Sequence, residues 1–366
     1  MTAAVRRLAA VILTLAACAG QAREPVAGEP GFAALVTALS EPGGYFDTDN
    51  LISNERSYLH AADALDRHEV RGGAYLGVGP DQNFSYITKI RPAVAFVLDI
   101  RRDNLLEHLL FKAGFALAPT RVEYLALLFG RPPPADPGAW TDRPVEALTG
   151  WVDATAADSA AATRARRLVD STVLTFGLSL TVEDRATIAR FHRTFIQEGL
   201  DLRFETFGRG AVWYYPTWRD LMTERDREGR QTGYLAREDD YAFLRTLQRR
   251  DRVVPVVGDF AGPRALAGVG EYLRSRGLAV SAFYTSNVEF YLFRQGSFQT
   301  FAAAVARLPR SPRAVMIRSL FLTSFAGGHP AAVPGYVSVQ LVQPMERFVH
   351  RNYGSYRDLV LDEWVR

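Results

Sequence analysis

The chain has 366 residues, 48% of them hydrophobic, 23% charged and 11% aromatic, which suits one large core or two smaller ones and excludes a disordered or collagen-like polymer. Its one cysteine can form neither an internal disulfide nor a cysteine-based zinc site. The formal charge is +3, and setting aside Arg6 and Arg7 of an N-terminal export signal leaves 41 basic against 40 acidic side chains, which removes any strong electrostatic case for nucleic acid.

Residues 1–22 combine a basic start, an apolar run from Leu8 to Ala17 and small residues around Cys18. This is the pattern of a secretory signal peptide, too short for a stable transmembrane anchor. Leu15-Ala16-Ala17-Cys18 resembles the bacterial lipobox, in which cleavage before the cysteine leaves a lipidated N-terminus; cleavage after Ala19 or Ala22 is the alternative. Both routes export the chain, and the first fixes it by lipid at Cys18 to a membrane on the periplasmic side of the cell envelope. Residues 23–49 are a tether and N-terminal segment, opening on the Pro-, Gly- and charge-rich stretch Arg23 to Pro30. No later run reaches 18 uncharged apolar residues.

Asn50 to Leu65 is a predicted helix, with Ser53 at its cap and Glu55 in its first turn. Gly72 to Pro80 reads as a short strand ending in a glycine turn. Asp81 to Ile90 reads as a helix broken by Arg91-Pro92, and Ala93 to Leu98 as a strand buried on both faces that ends at Asp99. Strand, glycine turn, helix, strand and acid open a doubly wound α/β domain, whose first part spans 50–103. Residues 104–250 form a mainly helical insertion or cap. Its predicted helices are Asn104 to Leu117, Thr120 to Phe129, Ala156 to Leu168, Val182 to Gln197 and Glu238 to Arg249, with a rigid loop at Pro132-Pro133-Pro134 and exposed loops at Tyr214-Tyr215-Pro216 and Arg225 to Arg230. Residues 251–366 return to the α/β domain. Strands are predicted at Arg252 to Val257, Ala279 to Tyr284 and Ala314 to Ile317, with helices at Arg264 to Arg276, Val288 to Phe293 and Ser297 to Leu308. Ser319 to Phe325 and Tyr336 to Val342 would close the mostly parallel sheet as an antiparallel hairpin.

Gly77 and Gly79 stand where the first strand hands over to its helix, a place where bare backbone lets a flat ligand approach a helix N-terminus; simple packing is the alternative. Asp99, 20 residues after Gly79, can accept both hydroxyls of a ribose, or it can cap a helix or pair with Arg101 or Arg102. Arg101-Arg102-Asp103-Asn104 either binds substrate or forms a solvated loop.

These features together resemble the class I S-adenosylmethionine-dependent methyltransferase-like superfamily. The resemblance rests on Leu76-Gly77-Val78-Gly79 as the glycine motif, Leu98-Asp99 as the ribose acid, Gly258-Asp259-Phe260 near the adenine, and Phe283-Tyr284-Thr285-Ser286-Asn287 at the strand facing the transferred methyl. It implies seven strands with a reversed final hairpin and S-adenosylmethionine as cofactor. The chain departs from the family's pattern in two places: Ala74 or Tyr75 stands where an acid usually precedes the glycine motif, and Asp81 or Gln82 where a third glycine follows. A carboxylate at Asp81 disfavours a pyrophosphate and suits a ligand with an amino group. Asp81, Gln82 and Asn83 would then bond the donor's amino-acid end, with helix capping by Asp81 as the alternative. The resemblance also implies donor contacts at Asn54 and Glu55. Tyr284, Ser286 and Asn287 would orient an acceptor, or form a polar turn before the next helix, and Tyr214 and Tyr215 could wall the acceptor pocket.

The sequence contains no Gly-x-Ser-x-Gly, His-Glu-x-x-His or P-loop, and its six histidines form no spaced pair, so no metal is expected. Three functions stay open. One is methyl transfer from S-adenosylmethionine to an unspecified acceptor. Another is a non-enzymatic ligand-binding or scaffolding module on the same fold, which export favours because the periplasm has no evident supply of that donor. The last is a hydrolytic or sugar-binding site built from Asp99 to Asn104 and Asn287.

Overall fold

The computed structural model describes residues 30–48, 50–207, 212–325, 328–362 and 364; the signal segment, Cys18 and the start of the tether lie outside these. In chain order, helix α1 (Phe32–Leu39), a 3-10 turn (Arg56–Ala61) and α2 (Ala62–Arg67) lead to β1 (Ala74–Gly77), α3 (Gln82–Ile90), β2 (Val94–Asp99) and α4 (Arg102–Leu117). Helices α5 (Arg121–Leu128), α6 (Val145–Ala154), α7 (Ser159–Leu174), α8 (Val182–Glu198), α9 (Trp218–Thr223) and α10 (Glu238–Arg249) follow. The chain then returns to the sheet with β3 (Val253–Val257), α11 (Ala265–Ser275), β4 (Val280–Ser286), α12 (Val288–Gln295), α13 (Phe298–Ala306), β5 (Arg310–Phe321) and β6 (Ser338–Pro344), and ends in α14 (Met345–His350) and α15 (Tyr356–Leu361).

The apolar runs of β1, β2 and β3 carry no polar alternation, and every residue in them is buried, as strands covered on both faces require. The sheet order is β3-β2-β1-β4-β5-β6. The first five strands are parallel, and β6 runs antiparallel to β5. The fold is therefore α/β, with a mixed and mostly parallel sheet. The order reverses between β1 and β4, so right-handed crossovers send helices to opposite faces. Helices α3 and α4 lie against β1, β2 and β3 with α10 packed on both, while α1 lies against β3 and α11, and α11 against α13.

Local chemistry sets the helix boundaries. Thr120 with Glu123, Thr181 with Asp184 and Thr217 with Asp220 form capping boxes that start α5, α8 and α9,. Helix α3 stops at Arg91, whose φ is 56°, immediately before Pro92. The Glu41 carboxylate accepts the N–H groups of Arg264 and Ala265 at 2.7 and 2.6 Å, so the N-terminal segment caps the start of α11.

Two stretches differ from the sequence expectation. The predicted helix Asn50 to Leu65 begins only at Arg56, because the Ser53 hydroxyl accepts the Glu55 N–H at 3.1 Å, a local bond that competes with the helix. The separate strands predicted on either side of Arg318 are one strand, β5, so the described sheet has six strands where the family resemblance implied seven. A charged residue in an apolar run reads as a break, but Arg318 is buried and neutralised. Its Nε and Nη2 donate to Glu289 at 2.7 and 3.1 Å, and its Nη1 donates to Gln343 at 2.9 Å. Breaking this pair should strand a buried guanidinium. Glu289→Ala is expected to lower the unfolding free energy by about 3–5 kcal/mol in urea titrations.

Candidate functional site

A cavity of about 310 Å³ opens at the carboxyl ends of the strands beside the β1/β4 reversal, where open α/β sheets bind ligands. Each of the five parallel strands delivers residues to it: Gly79 after β1, Asp99 on β2, Asp259 and Phe260 after β3, Ser286 and Asn287 at β4, and Leu320 on β5. The segments around Tyr45 and Tyr214 complete its walls, joined where the Phe207 N–H donates to the Asp47 carbonyl at 2.8 Å.

At the base of one wall sits Glu55, 1% exposed. Its Oε2 accepts hydrogen bonds from the Tyr284 hydroxyl at 2.5 Å, the Gln340 amide at 3.3 Å and the Ser319 hydroxyl. Its Oε1 accepts from the Ser286 hydroxyl. Desolvation dominates and raises the Glu55 pKa above its ordinary value, although all four donors act to lower it,. A buried carboxylate of this kind on a cavity wall is a group poised for proton transfer or for recognition of a donor-bearing ligand.

The glycine turn is held from beneath. The Asn83 amide donates to the carbonyls of Val78, Gly79 and Pro80 at 2.9, 3.2 and 2.8 Å, and its oxygen accepts from the Tyr75 hydroxyl at 2.8 Å. Asn83 thus shapes the loop and does not line the cavity. Gly77 serves the same packing, since a Cβ there would stand 1.9 Å from the Asn83 oxygen. Gly79 does line the cavity, with φ of 83°. Its carbonyl lies 2.9 Å from His108 Nε2, which must carry the proton. Burial pulls the His108 pKa down to about 4, keeping the ring neutral.

Asp81 faces away from the cavity, into the helical layer. Its Oδ2 accepts from Trp218 Nε1 and the Tyr234 hydroxyl, both at 3.0 Å, and its side chain caps no helix. Tyr284 is fully buried and meets the site through its hydroxyl, which donates to Glu55 and accepts from the Gln82 amide at 3.4 Å. Nine others singled out for donor or acceptor contacts, Asn54, Glu55, Gly79, Gln82, Asp99, Asp259, Phe260, Ser286 and Asn287, line this cavity, as do Arg101, Tyr214 and Tyr215, whereas Arg102, Asp103 and Asn104 do not. Gln82 leaves its buried Oε1 without a partner.

Asp99 ends β2 as expected, but Arg101 grips it. The Arg101 N–H and Nε donate to Oδ1 at 2.9 and 3.1 Å, and Nη2 donates to Oδ2 at 2.9 Å. Three of roughly four acceptor sites are filled, which leaves room for one ligand hydroxyl rather than the ribose pair. Asp259 accepts the Ala261 N–H at 2.9 Å, and Phe260 packs against Phe283 and Phe301. Ser319 and Gln340 escaped the sequence reading. Their signal was faint, because Arg318 in β5 and Ser338 and Gln343 in β6 are polar residues of the same strands. Among the described residues, no group of three or more acidic, His or Cys side chains is placed to hold a metal.

Residues 50–132 and 182–355, more than half of the chain, match a domain of unknown function, DUF7790. No curated protein matches the chain. Between the matched stretches, residues 133–181 hold α6 and α7.

Burial pushes the Asp81 pKa up from 3.8 to about 6, against the lowering effect of its Trp218 and Tyr234 bonds. The folded chain therefore keeps a proton that the unfolded chain loses near pH 4, and folding stability falls as pH rises from about 4 to 6. The contribution is about 3 kcal/mol. Asp81→Asn, which keeps an acceptor for both donors, is expected to remove this loss when urea unfolding is compared at pH 4 and pH 7.

Proposed function

We propose that this chain, which belongs to the DUF7790 family, binds S-adenosylmethionine in the carboxyl-edge cavity of a methyltransferase-like α/β domain, for transfer of its methyl group to an acceptor held near Ser286 and Asn287. The observation that carries this reading is the convergence of those nine residues, chosen for donor and acceptor contacts, on one cavity. The donor set suits the ligand. Glu55, Asn54 and the unpartnered Gln82 oxygen match an amino-acid head with its ammonium donors, Asp99 retains one acceptor position for a ribose hydroxyl, and Phe260 with Asp259 offers an apolar face and an acceptor for an adenine. When bound, S-adenosylmethionine supplies an electrophilic methyl on a sulfonium. The residues present hold it, exclude water and position an acceptor, which is what methyl transfer needs more than a strong base.

A second reading, a binding module without catalysis, is favoured by one observation: Arg101 occupies both oxygens of the would-be ribose acid. Calorimetric titration of the purified chain with S-adenosylmethionine and S-adenosylhomocysteine tests the donor site. Saturable heat is expected from both, weakened about tenfold or more by Asp259→Ala, because a ligand-facing hydrogen bond is worth about 1.5 kcal/mol. Absence of heat at millimolar ligand, or binding indifferent to Asp259→Ala and Asp99→Ala, rejects the assignment.

We propose further that the chain is exported and lipid-anchored at Cys18, from the lipobox-like Leu15-Ala16-Ala17-Cys18. Mass spectrometry of the membrane fraction is expected to find an N-terminal peptide beginning at Cys18 and carrying diacylglycerol. A mature N-terminus at Gly20 or Arg23 would reject the anchor.

A further inference from the structure

The geometry points to Ser286 as a nucleophile for acyl transfer, with Glu55 as its base. This goes beyond the donor-binding reading and does not depend on it. Ser286 is the last residue of β4, two residues before α12 begins, and its φ is 51°. A serine held in left-handed backbone is strained, and it persists only where the surroundings impose it. A strained strand-to-helix turn is also what lifts a serine hydroxyl clear of a sheet edge for attack. The sequence conceals the turn, because Tyr284 and Val288 stand where Gly-x-Ser-x-Gly would place glycines.

The base is oriented unequally. Three donors, Tyr284, Ser319 and Gln340, all bond Glu55 Oε2, whereas among the described residues Oε1 receives only the Ser286 hydroxyl. One oxygen is anchored and the other is presented to the serine. This is the logic of an activated nucleophile: a hydroxyl bonded to a base that a further group holds in place. Burial, which raises the carboxylate's proton affinity, suits it to accept that proton. The Asn287 side chain lines the cavity and does not cap α12. It follows the nucleophile directly, with its carboxamide oxygen 3.5 Å from the Ser286 hydroxyl, so that a flip of the amide, together with the backbone N–H, presents donors to a developing oxyanion.

The substrate class is an uncharged carboxylic ester whose acyl part rests on the apolar walls formed by Phe46, Phe260, Tyr291 and Leu320. Ser286 Oγ attacks the ester carbon, its proton passes to Glu55, and the carbonyl electron pair moves to the oxygen facing Asn287. Collapse breaks the bond to the alkoxy oxygen, which leaves as the alcohol with the proton from Glu55. Water then adds to the acyl-serine with Glu55 again as base, releasing the carboxylic acid and restoring both residues.

The test uses the purified full chain with a biotinylated fluorophosphonate, which phosphonylates activated serines, and with 4-nitrophenyl butyrate. Peptide mapping is expected to place one phosphonyl group on Ser286, and the ester is expected to give a burst of nitrophenolate. Ser286→Ala should abolish both. Glu55→Gln, which keeps the size of the side chain but exchanges one acceptor oxygen for a donor, should slow labelling about 100-fold or more, and Asn287→Ala should slow ester cleavage about 100-fold. An unmutated chain left unlabelled at Ser286 overturns the proposal whatever the variants do. So does labelling of Glu55→Gln at the parent rate. Labelled Ser286 with no calorimetric heat from S-adenosylmethionine rejects the donor reading alone; heat without label rejects the nucleophile alone.

Discussion

A carboxylate withdrawn from water costs several kcal/mol unless donors replace the lost solvent, and the burial of Glu55 imposes that requirement on half the sheet. Its donors come from three strands: Tyr284 and Ser286 from β4, Ser319 from β5 and Gln340 from β6. Ser319 and Gln340 are direct partners in the antiparallel register, and the Gln340 amide also donates to the Ser319 hydroxyl at 2.5 Å. A slip of one residue would turn both away from Glu55. The antiparallel register of β6, the left-handed end of β4 and the extended run before Arg56 thus meet at a single buried carboxyl group.

A second buried carboxylate lies just before the start of α3, facing the other way. Asp81 takes the indole of Trp218 from α9 and the hydroxyl of Tyr234 from the loop before α10, which fastens the helical layer to the glycine turn. Asn83, two residues later, knits the carbonyls of the turn itself. One short stretch, Gly79 to Asn83, thus serves the cavity through Gly79 and Gln82 and the scaffold through Asp81 and Asn83.

Much of this architecture was legible in the chain. Unalternated apolar runs marked β1, β2 and β3, and acids and glycines at strand ends marked the cavity, because period and punctuation are local properties. Two kinds of misreading differ in cause. Whether Asp81 or Tyr284 faces a ligand or a neighbour depends on partners far along the chain, Trp218 for Asp81 and Glu55 for Tyr284, whereas Asn83 turns to Tyr75 and to carbonyls three to five residues before it. No spacing rule reaches across the longer separations. Arg318 broke a predicted strand for the same reason, since its neutralising partner Glu289 lies 29 positions earlier. Ser53 was legible as a helix cap but acts one step more locally, on the Glu55 N–H.

The Arg101 grip on Asp99 leaves the cavity wall with an electrical sign. Asp99 and Arg101 cancel as a bidentate pair, so the formal charges remaining on the wall are the carboxyls of Glu55 and Asp259, neither of which is bonded by a cationic side chain among the described residues. Phosphorylated metabolites and other polyanions would be repelled on approach, while neutral or cationic molecules enter without that penalty. The same field acts on whatever leaves: a product that ionises to an anion inside this chamber is driven outward by the wall that received its precursor.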